Sequence, residues 1–126
     1  MAKKRILLID DEPGIRQVVP VAFRVIASWE ALVADSCQAG IALAEAEQPD
    51  AILLDVMMPE MDGITAFGLM QANPVIRSIP IILLTAKAQA SDRQRFAQLA
   101  IAGVITKPFK APDLVKQMRL ILNWND

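Results

Sequence analysis

The sequence predicts an α/β domain built around a parallel β-sheet. Short apolar runs alternate along the chain with longer amphipathic segments, which is the order of elements typical of α/β proteins. The runs are apolar throughout, as expected for strands that are buried on both faces of a parallel sheet. The chain has 126 residues, of which 54% are hydrophobic and 21% are charged, so its length and composition are those of one compact domain.

Five strands and five helices account for the chain. The predicted strands span roughly residues 5–9, 31–34, 51–55, 81–85 and 103–106. Between the first two strands, one helical stripe is formed by Ile15, Val18, Val19, Ala22 and Ile26. Pro20 lies away from this stripe, and we expect it to cause a kink or a local break while packing retains the helix.

The other four helices are delimited by residues that commonly begin or end helices. Ser36 is expected to cap the second helix, which ends near Glu47. The third helix is expected to open at Asp62-Gly63 and to end by residue 73. The fourth is expected to run from residue 91 or 92 to near Gly103, and the fifth from Pro112, a favoured first-turn residue, to about residue 123.

The composition argues against several classes of protein. With 13 basic and 14 acidic residues the chain has no broad basic surface, so we expect no binding to nucleic acid or to a membrane. No apolar run approaches the length of a membrane span or of a signal peptide. The single Cys37 fits a reducing cytoplasm, where we expect the protein to be located. The chain has no histidine, so it cannot be a phosphohistidine donor or a hydrolase with a catalytic histidine.

Five polar residues lie at the ends of four predicted strands. They are Asp10 and Asp11 after the first strand, Asp55 at the end of the third, Thr85 at the end of the fourth and Lys107 after the fifth. The carboxyl ends of parallel strands meet at the edge where open α/β folds bind ligands. Carboxylates gathered there repel one another unless a cation is bound, and Mg²⁺ suits an all-oxygen site that is shared with a phosphate.

This set of side chains predicts phosphoryl chemistry with a divalent cation. Asp55 could act as a nucleophile and form an acyl phosphate, a reaction that depends more on positioning and charge neutralisation than on a base. Lys107 would supply positive charge and the Thr85 hydroxyl a hydrogen bond to a phosphoryl oxygen. The alternative is that each residue is only a solvated loop residue or a helix cap, as Asp11 could be for the helix beginning near Pro13.

Four segments that contain these residues together resemble the receiver domain of bacterial two-component response regulators. The segments are residues 6–13, 54–63, 84–86 and 106–109. The resemblance is to stand-alone regulators of the chemotaxis type and covers the whole chain. It implies a flavodoxin-like, doubly wound, five-stranded parallel sheet of strand order 2-1-3-4-5 with five helices.

The resemblance also implies a role for each site residue. Asp55 would be the phosphoacceptor, and it would receive the phosphoryl group from a histidine kinase or a phosphotransfer protein. Mg²⁺ would be bound by Asp10, Asp11, Asp55 and the backbone carbonyl of Met57. The bond between Lys107 and Pro108 would be cis. The protein would catalyse only its own phosphorylation and dephosphorylation, so it would not be an enzyme in the usual sense.

Residues 1–126 are expected to form a single receiver domain without an output domain, which would signal by protein–protein contact. The contact surface would be the fourth helix, fifth strand and fifth helix, which could also form a homodimer. On the fifth helix we expect Leu120 and Trp124 to be exposed together. The downstream target is not indicated by the sequence.

Val104 is a departure from the family pattern, because an aromatic residue usually stands three positions before the lysine. Valine has a stiff side chain and cannot swing as an aromatic switch does. Val104 therefore gives weight to one alternative, a phosphorylation-independent pseudo-receiver. A second alternative, independent of Val104, is a receiver fragment of a larger hybrid kinase or regulator. A haloacid-dehalogenase-type phosphatase is disfavoured, because that family needs an aspartate two residues after the first one, where this chain has Glu12.

Overall fold

The computed structural model describes residues 3–58, 61, 63–86 and 90–125, with only the backbone for residues 90–93. Its five strands are β1 (Arg5–Ile9), β2 (Glu30–Ala34), β3 (Ala51–Asp55), β4 (Ile81–Thr85) and β5 (Gly103–Thr106). They form one sheet of order β2-β1-β3-β4-β5, and every neighbouring pair is parallel. The predicted fold class and strand order are therefore confirmed.

The five helices are α1 (Pro13–Ala22), α2 (Cys37–Glu47), α3 (Gly63–Ala72), α4 (Ala90–Ala97) and α5 (Ala111–Leu122). Side chains of α1 and α5 pack on one face of the sheet, and side chains of the other three helices pack on the opposite face. β3 and β4 are buried along their whole length because both faces of the sheet are covered. In the described part of the chain, every helix is too short or too polar to cross a membrane.

Ser36 caps α2 as predicted, since its side chain accepts a hydrogen bond of 3.1 Å from the backbone N–H of Ala39. The predicted end of α4 near Gly103 is wrong. The helix ends at Ala97, and Gly103 is the first residue of β5. The backbone N–H of Ala102 donates to the carbonyl of Ile81 at 2.8 Å, so the chain already pairs with β4 before β5 begins. Asp62, the expected start of α3, lies outside the described residues.

Helix α1 continues through Pro20, and a π-helical turn follows it at Phe23–Ala27. The predicted core stripe is only partly correct. Val19 is buried, but Val18 is 59% exposed and Ile26 is 41% exposed. Phe23, which the predicted stripe omits, is fully buried instead. The wider turn changes the helical register beyond Phe23 and rotates Ile26 outward, while Val18 lies about 100° around the helix from Val19.

The predicted exposed pair of Leu120 and Trp124 is also wrong. The Trp124 ring packs edge-on against Trp29, with ring centroids 5.4 Å apart, and Lys4 Nζ lies 4.8 Å from its centroid. Edge-on packing of aromatic rings is favourable and buries apolar ring surface, which explains why Trp124 folds back onto the domain. Of these two residues only Leu120 is exposed, with 73% of its surface accessible to solvent.

Candidate functional site

Strands β1 and β3 bring three carboxylates together at the carboxyl edge of the sheet. Asp10 follows β1, and its backbone N–H donates to the carbonyl of Ala34 at 3.1 Å, which extends the pairing with β2 by one residue. Asp55 is the last residue of β3. Both side chains are buried, whereas Asp11 is partly exposed. One oxygen from each of these three carboxylates lies within 4.8 Å of the other two.

Lys107 reaches these acids from the far side of β4. Its Nζ lies 2.8 Å from Asp10 Oδ2, 3.4 Å from Asp55 Oδ1 and 3.0 Å from Glu12 Oε1. The backbone N–H of Lys107 donates to the carbonyl of Thr85 at 2.8 Å, which ties the chain after β5 to the end of β4. The peptide bond between Lys107 and Pro108 is cis, as expected from the family resemblance. The lysine is therefore placed among acids from two neighbouring strands.

The contact with Glu12 was not predicted from the sequence. The sequence shows an acidic residue, Glu12, directly after Asp10 and Asp11, but it does not show which way the Glu12 side chain points. The structure also excludes the alternative that Asp11 caps α1. The capping residue is Glu12, whose own side chain makes no capping hydrogen bond. Instead, Asp10 Oδ1 accepts a hydrogen bond of 2.9 Å from the backbone N–H of Glu12.

Thr85 and Met57 lie next to Asp55 at the same edge. Asp55 pairs in register with Leu84, so Thr85 lies one residue further toward the edge, and it is 1% exposed. The backbone N–H of Met57 donates to Asp55 Oδ1 at 3.2 Å, while the Met57 side chain is 53% exposed. The Asp55 carboxylate is thus held by a backbone group, and Met57 lies beside it at the surface.

Gly63 allows the start of α3 to approach the end of β3. Its backbone N–H donates to the carbonyl of Val56 at 2.8 Å. A β-carbon at this position would lie 2.7 Å from Val56 Cα and 2.9 Å from the backbone oxygen of Asp55. Real side chains do not tolerate contacts this short with backbone atoms, so the position requires glycine. The start of α3 therefore packs directly against the backbone of Asp55 and Val56 and helps to fix its position.

Burial raises the pKa of Asp55 from 3.8 to about 6; the neighbouring charge of Asp10 adds to this effect, and Lys107 opposes it. Burial lowers the pKa of Lys107, but its hydrogen bonds to Asp10 and Glu12 outweigh this effect and raise that pKa to about 12. The lysine is therefore an ammonium at neutral pH. The Asp55 carboxylate is destabilised, so an additional cation beside it would stabilise it.

The residues at this edge fit a magnesium ion. Asp10, Asp11 and Asp55 offer only oxygen ligands, which is the preference of Mg²⁺ in proteins. Lys107 lies within ion-pair distance of two of these carboxylates, and it supplies a single positive charge. The negative charge of the cluster is therefore only partly balanced by the protein, as expected of a site that binds a divalent cation.

A cavity of about 550 Å³ opens beside Lys107 and Glu12. Its walls come from the start of α1 and from the segment after β5, and they include Glu12, Val18, Lys107 and Phe109. An apolar groove of about 420 Å³ continues along the outer face of α1 and is lined by Val18, Val21, Val25, Ile26 and Ala111. Val21 is 48% exposed and Val25 is 73% exposed. Sequence reasoning missed this face, although the excess of valine in the helix beyond one core stripe was a signal.

Comparisons with known proteins agree with this geometry. The family model for the response regulator receiver domain matches residues 6–119. The phosphate regulon transcriptional regulatory protein PhoB of Pseudomonas aeruginosa is 35% identical over 122 residues, which cover 97% of this chain and 53% of that protein. The chain therefore spans about half the length of the curated relatives it matches.

Two solved structures show the same likeness. The chemotaxis protein CheY4 of Vibrio cholerae matches with a TM-score of 0.87 and 27% identity, over 95% of this chain and 99% of that chain. The receiver domain of the sensor histidine kinase PA1611 from Pseudomonas aeruginosa matches with a TM-score of 0.84 and 30% identity, over 97% of this chain and 99% of that chain. That receiver domain has a magnesium ion coordinated in its active site cleft.

Proposed function

Because the chain belongs to the response regulator receiver domain family, we propose that it is a phosphoacceptor in two-component signal transduction. A histidine kinase or a phosphotransfer protein would donate the phosphoryl group, and Asp55 would accept it. The observation that carries this proposal is the approach of Lys107 to Asp10 and Asp55, which puts an ammonium that lines a cavity beside two buried carboxylates.

In the proposed reaction an oxygen of Asp55 attacks phosphorus as the bond from phosphorus to the donor nitrogen breaks. The transferred group carries negative charge on three oxygens and needs fixed positive charge more than a base. Lys107 Nζ is 3.4 Å from Asp55 Oδ1, so it can contact an oxygen of the transferred group with a small movement. We propose that the Thr85 hydroxyl donates a hydrogen bond to another of these oxygens.

Asp10, Asp11, Asp55 and the backbone carbonyl of Met57 are proposed to hold Mg²⁺. The ion would supply further positive charge to the phosphoryl oxygens when it is bound. The likeness to a receiver domain that coordinates magnesium supports this proposal, as does the oxygen-only cluster. Two protein groups would act without the ion. Lys107 would neutralise negative charge on the phosphoryl oxygens, and the backbone N–H of Met57 orients the Asp55 carboxylate.

The apolar outer face of α1 is proposed as the docking surface for the phosphodonor. Val18 lines both the cavity beside Lys107 and the groove along the helix, so the two surfaces are continuous. A helix that lies in such a groove buries its own apolar side chains against exposed valines. A donor bound there would lie next to the cavity lined by Lys107, whose Nζ is 3.4 Å from Asp55 Oδ1.

The phosphorylated protein is proposed to signal by contact with another protein or with a second copy of itself. The surface would consist of α4, β5 and α5, where Leu120 is exposed. Val104 in β5 is half-buried and packs against the core on the α3 side of the sheet. We therefore propose that the coupling does not depend on an aromatic side chain at this position. We also propose that the protein acts in the cytoplasm and catalyses only its own phosphorylation and dephosphorylation.

The proposed function is tested by incubation with acetyl phosphate and Mg²⁺, followed by measurement of the intact mass. The wild-type protein should gain one phosphoryl group, and Asp55→Asn should gain none. A pseudo-receiver would gain none in either form, with or without Mg²⁺.

A further inference from the structure

Lys107 Nζ lies close to three carboxylates, those of Asp10, Asp55 and Glu12. The proposed phosphoryl transfer gives a role to Asp10 and Asp55 but none to Glu12. Asp10 and Asp55 are buried, whereas the Glu12 side chain is 57% exposed. Glu12 nevertheless reaches inward, so that its Oε1 lies 3.0 Å from Lys107 Nζ. This side chain therefore approaches the ammonium from the solvent side of the site.

The backbone of Glu12 is fixed, although its side chain is not enclosed. Its N–H donates to Asp10 Oδ1 at 2.9 Å, and its carbonyl accepts from the N–H of Arg16 at 3.2 Å. Any movement of the carboxylate must therefore come from side-chain rotation. An ion pair in which one partner is half-exposed is weak, so rotation into solvent costs little.

Glu12 and an incoming phosphoryl group require the same cation. Both Glu12 and Lys107 line one cavity, and an anion that approaches Lys107 through it meets the Glu12 carboxylate. A phosphoryl group on Asp55 would place negatively charged oxygens next to Lys107 Nζ, which is 3.4 Å from Asp55 Oδ1. Like charges so close together repel, and Glu12 has to release the ammonium when the phosphoryl group binds.

We propose that Glu12 is a positioning residue that screens Lys107 from small anionic phosphodonors in the unphosphorylated protein. This inference rests on the proposed function and adds a residue that sets the affinity for the donor. Removal of the Glu12 charge should lower the half-saturating concentration of acetyl phosphate by about two- to fivefold, the range for one partly exposed ion pair. The maximal rate should change less, because Lys107 and Asp55 remain in place.

The experiment compares wild type, Glu12→Gln and Glu12→Asp for acetyl phosphate dependence at saturating Mg²⁺, with Mg²⁺ affinity measured by calorimetry. Glu12→Asp keeps the charge on a shorter side chain and should restore part of the wild-type value. The matched control is Glu47→Gln, because Glu47 is a similarly exposed glutamate paired with Arg5 at 3.2 Å, at the amino end of β1. Glu47→Gln should behave as wild type.

A lower half-saturating concentration in Glu12→Gln with unchanged Mg²⁺ affinity supports the proposal. An unchanged or higher half-saturating concentration overturns it, and so does a lower one that tighter Mg²⁺ binding accounts for in full. If the wild-type protein gains phosphate and Glu12→Gln has the same half-saturating concentration, only this inference is contradicted and the proposed function stands. Wild-type protein that gains no phosphate contradicts both this inference and the proposed function.

Discussion

Lys107 Nζ lies 3.4 Å from Asp55 Oδ1, although β4 separates the two strands that carry these residues. The approach is possible because Lys107 lies beyond the end of β5 and its long side chain crosses the carboxyl end of β4. The same ammonium lies 2.8 Å from Asp10 Oδ2, so one lysine links the ends of β1, β3 and β5. This arrangement gives the site its electrostatic character.

The stability of the metal-free protein should depend on pH through Asp55. Its pKa is about 6 in the folded protein and ordinarily 3.8, so the folded state binds more protons between these pH values. The contribution of Asp55 to the free energy of unfolding therefore falls as pH rises from about 4 to about 6. Above about pH 6 the full destabilisation by the buried carboxylate is reached. A shift of about two pKa units corresponds to at most about 3 kcal/mol.

Asp55→Asn should therefore unfold at higher denaturant concentration than wild type at about pH 8 without Mg²⁺, and the two should converge at about pH 4. Addition of Mg²⁺ should reduce the difference at the higher pH, because the ion stabilises the wild-type carboxylate. Equal stabilities of the two proteins at about pH 8 would show that the Asp55 charge is not destabilising.

Val21→Lys should weaken phosphotransfer from a histidine kinase that phosphorylates the wild-type protein, by about tenfold, because it places a charge in the apolar groove of α1. Phosphorylation by acetyl phosphate should be unchanged, since this small donor needs no helix face. Leu69→Lys on α3 is the matched control, because both side chains are 48% exposed. Equal losses in the two variants would argue against α1 as the docking surface.

Met57→Asn should shorten the lifetime of the phosphorylated protein. The Met57 side chain is 53% exposed beside Asp55 and has no group that can orient an attacking water, whereas an amide can. Decay of the phosphorylated species, followed by intact mass, measures the effect, with Leu69→Asn as a control at a similarly exposed position on α3. A lifetime unaltered in Met57→Asn would mean that methionine only fills space here. The sequence also predicts that Lys87, two positions after Thr85, flanks the path of the attacking water, but Lys87 lies outside the described residues.

Gly63→Ala should destabilise the protein by about 1–3 kcal/mol, because a β-carbon would press on the backbone of Val56 and Asp55. Gly68→Ala in the same helix is the contrasting control. A β-carbon at Gly68 meets no atom within 4 Å, so alanine there should stabilise α3 by about 0.5–1 kcal/mol. Denaturant unfolding distinguishes the two, and a stability of Gly63→Ala equal to that of wild type would contradict the close approach.

The sheet and its polar edge were predictable because burial leaves a strong pattern. Strands such as β3 and β4 are buried on both faces and therefore consist of apolar residues up to their last position. Residues that end or follow such strands, including Asp55 and Lys107, must then lie at one edge of a parallel sheet. The family resemblance added the strand order and the cis bond before Pro108, and the structure has both.

The surface of the molecule was less predictable, because side-chain direction there depends on contacts between distant segments. The π-helical turn after α1 moved Ile26 out of the predicted core stripe. Packing against Trp29 removed Trp124 from the predicted contact patch. The contact of Glu12 with Lys107 joins residues far apart in sequence, and an acidic residue after two aspartates does not show which way its side chain turns.

The central claim is that Asp55 accepts a phosphoryl group in a magnesium-dependent reaction. Wild-type protein, Asp55→Asn and the control Asp50→Asn are each incubated with acetyl phosphate and Mg²⁺, and the phosphorylated residue is located by peptide mass analysis. Asp50 precedes β3 at its opposite end, where its Oδ2 accepts a hydrogen bond of 2.7 Å from the backbone N–H of Arg5. We expect one phosphoryl group on Asp55 in wild type and in Asp50→Asn, and none in Asp55→Asn or when Mg²⁺ is chelated. Undiminished labelling of Asp55→Asn would contradict the account.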